Sequence, residues 1–221
     1  MEIINSKNLK PEFLNILIYG RQGMGKTTLL GSLPPKTLII DVDRGTNVLA
    51  GKSDVDIIYL SEDLHEMPEI VLMLNKKCEY KNVAIDSISV LEQAMLRYFG
   101  YIGNNDGVTN LADYNRVDSK IQYYFLQFRA LPCNVIFTAW EDIKELTSNT
   151  GEKYTLAFPK LRNKTADIIC GLCDIVGHII FNNGERIIML ESTPNAIAKD
   201  RIFKRKSCKF EEIINHDQLD I

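Results

Sequence analysis

The residues best suited to chemistry form one short run, Gly20-Arg21-Gln22-Gly23-Met24-Gly25-Lys26-Thr27, continued by Thr28. It satisfies the spacing G-x-x-x-x-G-K-[ST], in which glycines let backbone N–H groups curl around phosphate oxygens without Cβ clashes. Lys26 would place an ammonium on the β- and γ-phosphates of a nucleotide, and the Thr27 hydroxyl would ligate Mg²⁺. The flanking segments, apolar and β-rich from Phe13 to Tyr19 and helical from Lys26 to Ser32, put the loop between a strand and a helix N-terminus that faces the negative charge. Chance produces this pattern in roughly one chain per hundred of this length.

A metal-nucleotide site also needs a carboxylate opposite the loop. Asp86 supplies one at the end of the apolar run Val83-Ala84-Ile85, where the bland alternative is a simple strand terminus. Two more, Asp41 and Asp43, close the run from Thr37, and their i, i+2 spacing turns them to one face. One of these could hold an attacking water, and their other use is as a solvated strand end or helix cap.

These side chains need a frame. Short runs of β-branched and apolar residues at Phe13–Tyr19, Thr37–Val42, Val55–Leu60, Asn82–Ile85 and Asn134–Ala139 read as buried strands. Helical spacing marks Lys26–Ser32, Pro68–Lys77, Ile88–Phe99 and Leu111–Leu131. The alternation predicts an α/β fold with a mainly parallel sheet flanked by helices. Near the end, Ile179–Asn182 and Arg186–Leu190 flank Asn183-Gly184, which predicts a C-terminal antiparallel hairpin. Gly100–Asn110 and Asp142–Lys153, rich in Gly, Asn, Asp and Thr, read as long surface loops.

The 221 residues fit a single domain over 1–221, with 1–12 as an N-terminal arm and 199–221 as a basic C-terminal segment. At 45% hydrophobic and 25% charged, the chain should fold, and no apolar run approaches the roughly 20 residues of a membrane helix. No leader is evident, and five cysteines, an odd number, suit reduced thiols, so a cytoplasmic setting and no membrane partner are expected. Cys170 and Cys173 are one pair where structural zinc usually needs two, so they read as small buried side chains. His65 and His216 read as surface residues. A net charge of −3 excludes a uniformly basic coat but leaves room for local basic patches.

Taken in order, the phosphate loop, the strand ending at Asp43, Ile85-Asp86-Ser87 and Ile136-Phe137-Thr138-Ala139-Trp140 resemble the RecA-like ATPase core. The Thr138-Ala139-Trp140-Glu141 and Phe158-Pro159-Lys160-Leu161-Arg162 stretches narrow the resemblance to phage-encoded RecA-like nucleotide-binding proteins, whose members include single-strand annealing recombinases. The resemblance implies ATP and Mg²⁺ as cofactors, Asp43 as general base and Asp86 as the Mg²⁺-organising acid. It implies also a γ-phosphate sensor near Trp140. Asp43 stands where the family usually has Glu, and Trp140 offers no acceptor, so sensing would fall to Thr138 or Glu141. Lys199 and Arg201 look like the Lys-x-Arg pair that RecA-fold motors insert into a neighbour's site, and the alternative is a solvated tail.

The same resemblance implies single-stranded DNA as partner and a homo-oligomer, ring or filament, with ATP at subunit interfaces. A single-strand-binding protein is a further partner, and the setting is the cytoplasm of an infected bacterial host. Candidate DNA contacts are Lys144, Lys153, Tyr154 and Lys160 in or after the second loop, and Lys204, Arg205 and Lys206 in a segment where six of eleven residues are basic. The expected role is recombination or replication by single-strand annealing. The alternatives are a motor or loader ATPase for a helicase or packaging machine, a phosphotransferase, and a nucleotide-gated interaction protein with little turnover.

Overall fold

The computed structural model describes residues 5, 7, 12–103, 105–182 and 184–214. Most of the expected N-terminal arm, His216 and the end of the basic segment therefore lie outside the described residues. Six strands, β1 (Asn15–Gly20), β2 (Thr37–Asp41), β3 (Val55–Tyr59), β4 (Asn82–Asp86), β5 (Asn134–Thr147) and β7 (Ile175–Asn182), run parallel in the order β7-β1-β5-β4-β2-β3. Beyond β7 the sheet turns antiparallel through β8 (Glu185–Met189) and β10 (Ser207–Cys208), and β9 (Lys199–Asp200) pairs with the start of β7. Asn182 faces Glu185 in the β7–β8 pairing, as the expected hairpin requires, and Asn183 lies outside the described residues. The fold is α/β, a mostly parallel open sheet covered by helices, with the predicted C-terminal hairpin.

Period-two alternation makes two cores from one sheet. Leu17, Tyr19, Leu38, Ile40, Val83, Ile85, Val135 and Phe137 face α2 (Met67–Lys76), α3 (Ile88–Ile102), α4 (Leu111–Arg129) and α5 (Asn163–Leu172). Ile16, Ile18, Ile39, Ala84 and Ile136 face α1 (Lys26–Gly31) and the C-terminal segment. Both faces are covered, which is why the strands read as continuous apolar runs. At the N-terminal edge of the sheet, Asn134 donates to Asn82, which donates to the Pro34 carbonyl and Thr37 hydroxyl, so the strand ends are tied by side-chain amides.

Two expectations fail here. Asp142–Lys153 is not a surface loop: β5 continues to Thr147 and pairs antiparallel with β6 (Lys153–Pro159), with Leu146 opposite Tyr154 and Lys144 opposite Leu156. A two-stranded ribbon can carry polar residues on both faces because neither is packed into a core, which removes the apolar alternation that marks a strand. Helix α5 was not read from the sequence either, since its apolar residues merge into those of β7 without a Gly or Pro break. The loop after α3 is also shorter than expected, since the helix runs on to Ile102. Among the described residues, no helix is long and apolar enough to cross a membrane.

The base of the ribbon is anchored through Arg162, just beyond the end of β6 at Pro159. The Arg162 backbone N–H donates to Glu92 on α3, its Nε lies 3.0 Å from Asp118 on α4, and its guanidinium lies over the Tyr114 ring, 4.5 Å from the centroid. Phe137, 1% exposed, packs against Phe125 with ring centroids 4.8 Å apart and joins sheet to α4. Phe137→Ala should cost about 3–5 kcal/mol by emptying a core position. Urea unfolding should show it as a lower midpoint with little change in slope.

Candidate nucleotide-binding site

The loop Gly20–Gly25 leaves the end of β1 at the centre of the sheet and enters α1. Gly23 and Gly25 hold φ of 75° and 86°, the left-handed region that side-chain-bearing residues rarely adopt, so the spacing of glycines is a backbone requirement. Lys26 is buried and folded back, its Nζ donating to the Gly20 and Arg21 carbonyls at 2.8 and 2.9 Å. Burial, the largest influence, lowers its pKa, opposed by the carboxylates of Asp86, Asp43 and Glu141.

Parallel pairing of β2, β4, β5 and β1 brings their C-terminal ends to one edge. Asp86, 2% exposed, accepts from the Thr27 hydroxyl at 2.7 Å on one oxygen and from the Thr138 hydroxyl on the other. The following Ser87 caps α3 by accepting from the Val90 N–H, and Ser89 accepts from the Trp140 N–H at 2.9 Å. Asp86, Asp43, Thr27, Lys26, Gln22 and Trp140 line one cavity of about 380 Å³. A larger concavity on the α3–α4 flank, about 660 Å³ around Phe99 and Tyr123, lies on a different part of the fold and offers no carboxylate.

The two carboxylates of β2 divide their roles. Asp41 is fully buried and accepts from the Asp43, Gly45 and Thr46 N–H groups and from the Thr46 hydroxyl, which shapes the turn after β2. It is therefore a cap, and Asp43 is the one that faces the cavity. Burial first, then Asp86 and Asp41, pushes Asp43 up to about 6. Burial likewise raises Asp86, against the two hydroxyl bonds that lower it.

This donor set fits Mg²⁺. Hard oxygen ligands, the Thr27 hydroxyl and the Asp86 carboxylate, already touch each other, and crowded carboxylates with raised pKa values lack the countercharge a divalent ion would bring. Thr27 and Asp86 would hold the ion, which when bound neutralises nucleotide phosphate oxygens.

The expected sensors sit differently from their reading. Thr138 is buried beneath Asp86 and bonds it, so it faces the carboxylate. Glu141 accepts from Arg21 Nε at 3.2 Å and pairs with His178 Nε2 at 2.8 Å, and the His178 ring stacks on Tyr19. The phosphate loop is thus tied to the base of the ribbon. Met24 packs against the α1-side core, and Thr28 lies on the neighbouring wall of α1.

The basic candidates separate. Lys144 and Tyr154 share one face of the ribbon and Lys153 takes the other, with the Lys144 ammonium over Phe158 at 4.2 Å and that of Lys160 over Trp140 at 5.9 Å. Arg205 is corrected from DNA contact to internal anchor: its Nε lies 2.7 Å from the buried Asp200, and its other nitrogens donate to the Glu212 and Ile213 carbonyls. Lys204 is exposed, and Lys206 stands 3.7 Å from Glu191. Lys199 and Arg201 both donate to the Gly171 carbonyl at the end of α5. They lie beside Ile175 and Val176, the opposite end of the sheet from the phosphate loop, about 13 Å away along the strands. That position excludes a contact with the nucleotide site of their own chain.

Cys173 is buried and Cys170 half-buried, and among the described residues no third ligand-bearing side chain gathers about them. Sequence reading missed Arg186 on β8, whose guanidinium reaches within 3.3 Å of where a Cβ on Gly25 would stand. The hairpin predicted from sequence was the signal available, since its antiparallel pairing sets Arg186 opposite Phe181.

A family profile described as an AAA domain matches residues 12–202. Among solved structures, the prototypical ATPase from the type III secretion system of pathogenic bacteria is similar, with a TM-score of 0.46 and 16% identity over 77% of this chain and 52% of that one. This chain thus spans about half the length of that ATPase. No curated protein matches the sequence.

If Asp43 takes a proton from the attacking water, turnover should fall as pH drops through about 6, because its raised pKa protonates it there instead of near 4. Asp43→Asn should keep ATP affinity, lose about 10²- to 10⁴-fold in turnover and lose that pH step. Steady-state ATP hydrolysis on both sides of the step checks this, and a parental rate in the variant would place the base elsewhere.

Proposed function

The chain belongs to the AAA-domain family, whose profile covers residues 12–202, and carries a P-loop ATPase domain; from that premise we propose that it is a RecA-like, ATP- and Mg²⁺-dependent ATPase acting on single-stranded DNA in phage recombination or replication by strand annealing. The observation that carries the ATPase reading is the Thr27–Asp86 hydrogen bond beside Lys26 and Asp43 in one cavity. In this reading the loop N–H groups and Lys26 bind and neutralise the phosphates, and Thr27 and Asp86 orient them. Asp43 holds the water and accepts its proton, with Trp140 at the cavity wall limiting access of bulk solvent.

The DNA reading rests on the ribbon β5–β6. It projects from the strand that also carries Thr138 and Trp140, it presents Lys144 and Tyr154 on one face and Lys153 on the other, and Lys160 follows at its base. Cations with an interleaved aromatic suit backbone neutralisation and base stacking. Because Glu141 at the ribbon base holds Arg21 of the phosphate loop, nucleotide binding has a direct route to the ribbon. Lys199 and Arg201, too far from their own loop, are assigned to a neighbouring copy's phosphates in a ring or filament, where two cations would stabilise charge developing in the transition state.

Oligonucleotide binding with ATP and Mg²⁺ present tests the DNA reading. Single strands should bind more tightly than duplex, affinity should fall steeply with salt, and replacing Lys144, Lys153 and Lys160 together by Gln should reduce the salt slope by up to about three phosphate contacts. Equal affinity for single strand and duplex, or an unchanged slope in the variant, would favour a motor or loader whose partner is another protein.

A further inference from the structure

Helix α4 carries charge of one sign on its outer side. Its two acids, Asp113 and Asp118, are buried, while Arg116, Lys120 and Arg129 are exposed, in a chain whose net charge is −3. The Lys120 ammonium lies over the Tyr123 and Tyr124 rings, 5.9 and 5.3 Å from their centroids, and enters no ion pair among the described residues. Arg116 has one partner there, Asp113 at 3.5 Å, whose other oxygen already accepts from the Asn110 N–H.

Apolar hollows flank this basic stripe. On the α2 side, Pro68 and Leu72 stand four residues apart on one helix face and border a cavity of about 440 Å³. On the α3 side lies the cavity of about 660 Å³ at Phe99. Lys120 and Tyr123 line both, so the two hollows adjoin across one ridge of α4. Leu72 is 71% exposed and Tyr123 52%, and Met73 and Leu126 on the same two helices are exposed as well. Large apolar side chains gathered in water beside concave ground mark a contact surface. Exposed aliphatic residues distinguish it from the β5–β6 ribbon, where cations alternate with an aromatic: leucines and a methionine match aliphatic side chains of another polypeptide, and acid-free cations match its carboxylates.

The chain itself holds a segment of that chemistry. Residues 215–221, Asn215-His216-Asp217-Gln218-Leu219-Asp220-Ile221, interleave two carboxylates with two aliphatic residues and carry no Lys or Arg. The N-terminal run Met1–Pro11 has the wrong sign, with Lys7 and Lys10 against Glu2. Ile214, which precedes the segment, is packed in the α1-side core, with the sheet and a helix layer between it and α4. Seven extended residues reach at most about 25 Å, too short to round the sheet edge and both layers. We propose that the α2–α4 surface is a docking site for residues 215–221 of a second copy of this chain, with Leu219 and Ile221 in the apolar hollows and Asp217 and Asp220 on Arg116 and Lys120. Each copy then offers one segment and one groove on different parts of its surface, a head-to-tail contact that needs no nucleotide.

Sedimentation velocity on the full chain without nucleotide, over a concentration series, tests this. The parent should associate reversibly and lose that association in high salt. Deleting 215–221 should leave a monomer with an intact groove, and Arg116→Gln with Lys120→Gln should weaken association about fivefold or more. Adding Leu72→Ser and Tyr123→Ser to that pair should abolish it, leaving a monomer with an intact segment. Mixed, the deleted chain and the fourfold variant should form a dimer and nothing larger, which also shows that both are folded. A labelled 215–221 peptide should bind the deleted chain, and its Asp217→Asn, Asp220→Asn form should bind about fivefold or more weakly. Parental association after the deletion, a mixture that stays monomeric, or equal binding of the two peptides would overturn the proposal. So would capture at this surface of a Met1–Pro11 peptide, a single-stranded oligonucleotide or phosphatidylglycerol vesicles in place of the 215–221 peptide.

Discussion

A single buried carboxylate constrains the rest of this fold. Asp86 sits 2% exposed at the end of β4, and an ionised group there is tolerable only with partners on both oxygens. Thr27 supplies one and Thr138 the other, from the phosphate loop and from β5. For those three side chains to meet, β1, β5 and β4 must lie side by side and parallel, with the ends of β1 and β4 beside the Thr138–Trp140 stretch of β5, which is the observed order and register. The apolar strands supply the stability, and the Asp86 bonds fix where the strand ends stand.

Around that carboxylate the charges are left unbalanced. Asp43 and Asp86 both have raised pKa values, and Lys26, the nearest cation, is turned onto the loop's own carbonyls. A phosphate group entering the loop would compete for Lys26, while a divalent ion would relieve the carboxylates. The protein alone therefore leaves charge unbalanced at this edge, and a metal-bound polyphosphate would balance it. From there, Glu141 links Arg21 to the base of the ribbon and to His178 on β7, so the loop is tied to the strands on both sides of β1.

Much of this was readable from the chain. The phosphate loop is a local backbone requirement, and buried parallel strands betray themselves as apolar runs, so β1 to β5 and Asp86 followed from sequence. What escaped depends on tertiary placement. The ribbon from Glu141 to Pro159 is polar on both faces and reads as a loop, while α5 merges into β7 because both are apolar. Arg205 looks the same in sequence as Lys204, yet a buried Asp200 takes it inside. Asp41 and Asp43 alternate as expected, and only the turn after β2, with Thr46 bonded to Asp41, decides which of them faces the cavity.

In the proposed function, Asp86 and Thr27 form a divalent-cation site coupled to the phosphate loop. Calorimetric titration of ATP with Mg²⁺ and again with a chelator, for the parent and Asp86→Asn, tests it directly. In the parent, Mg²⁺ should tighten ATP binding. In the variant that increment should vanish, while metal-free ATP binds at least as well as before, because a negative charge near the phosphates has been removed. An Asp86→Asn protein that keeps the full Mg²⁺-dependent gain in ATP affinity would contradict the account.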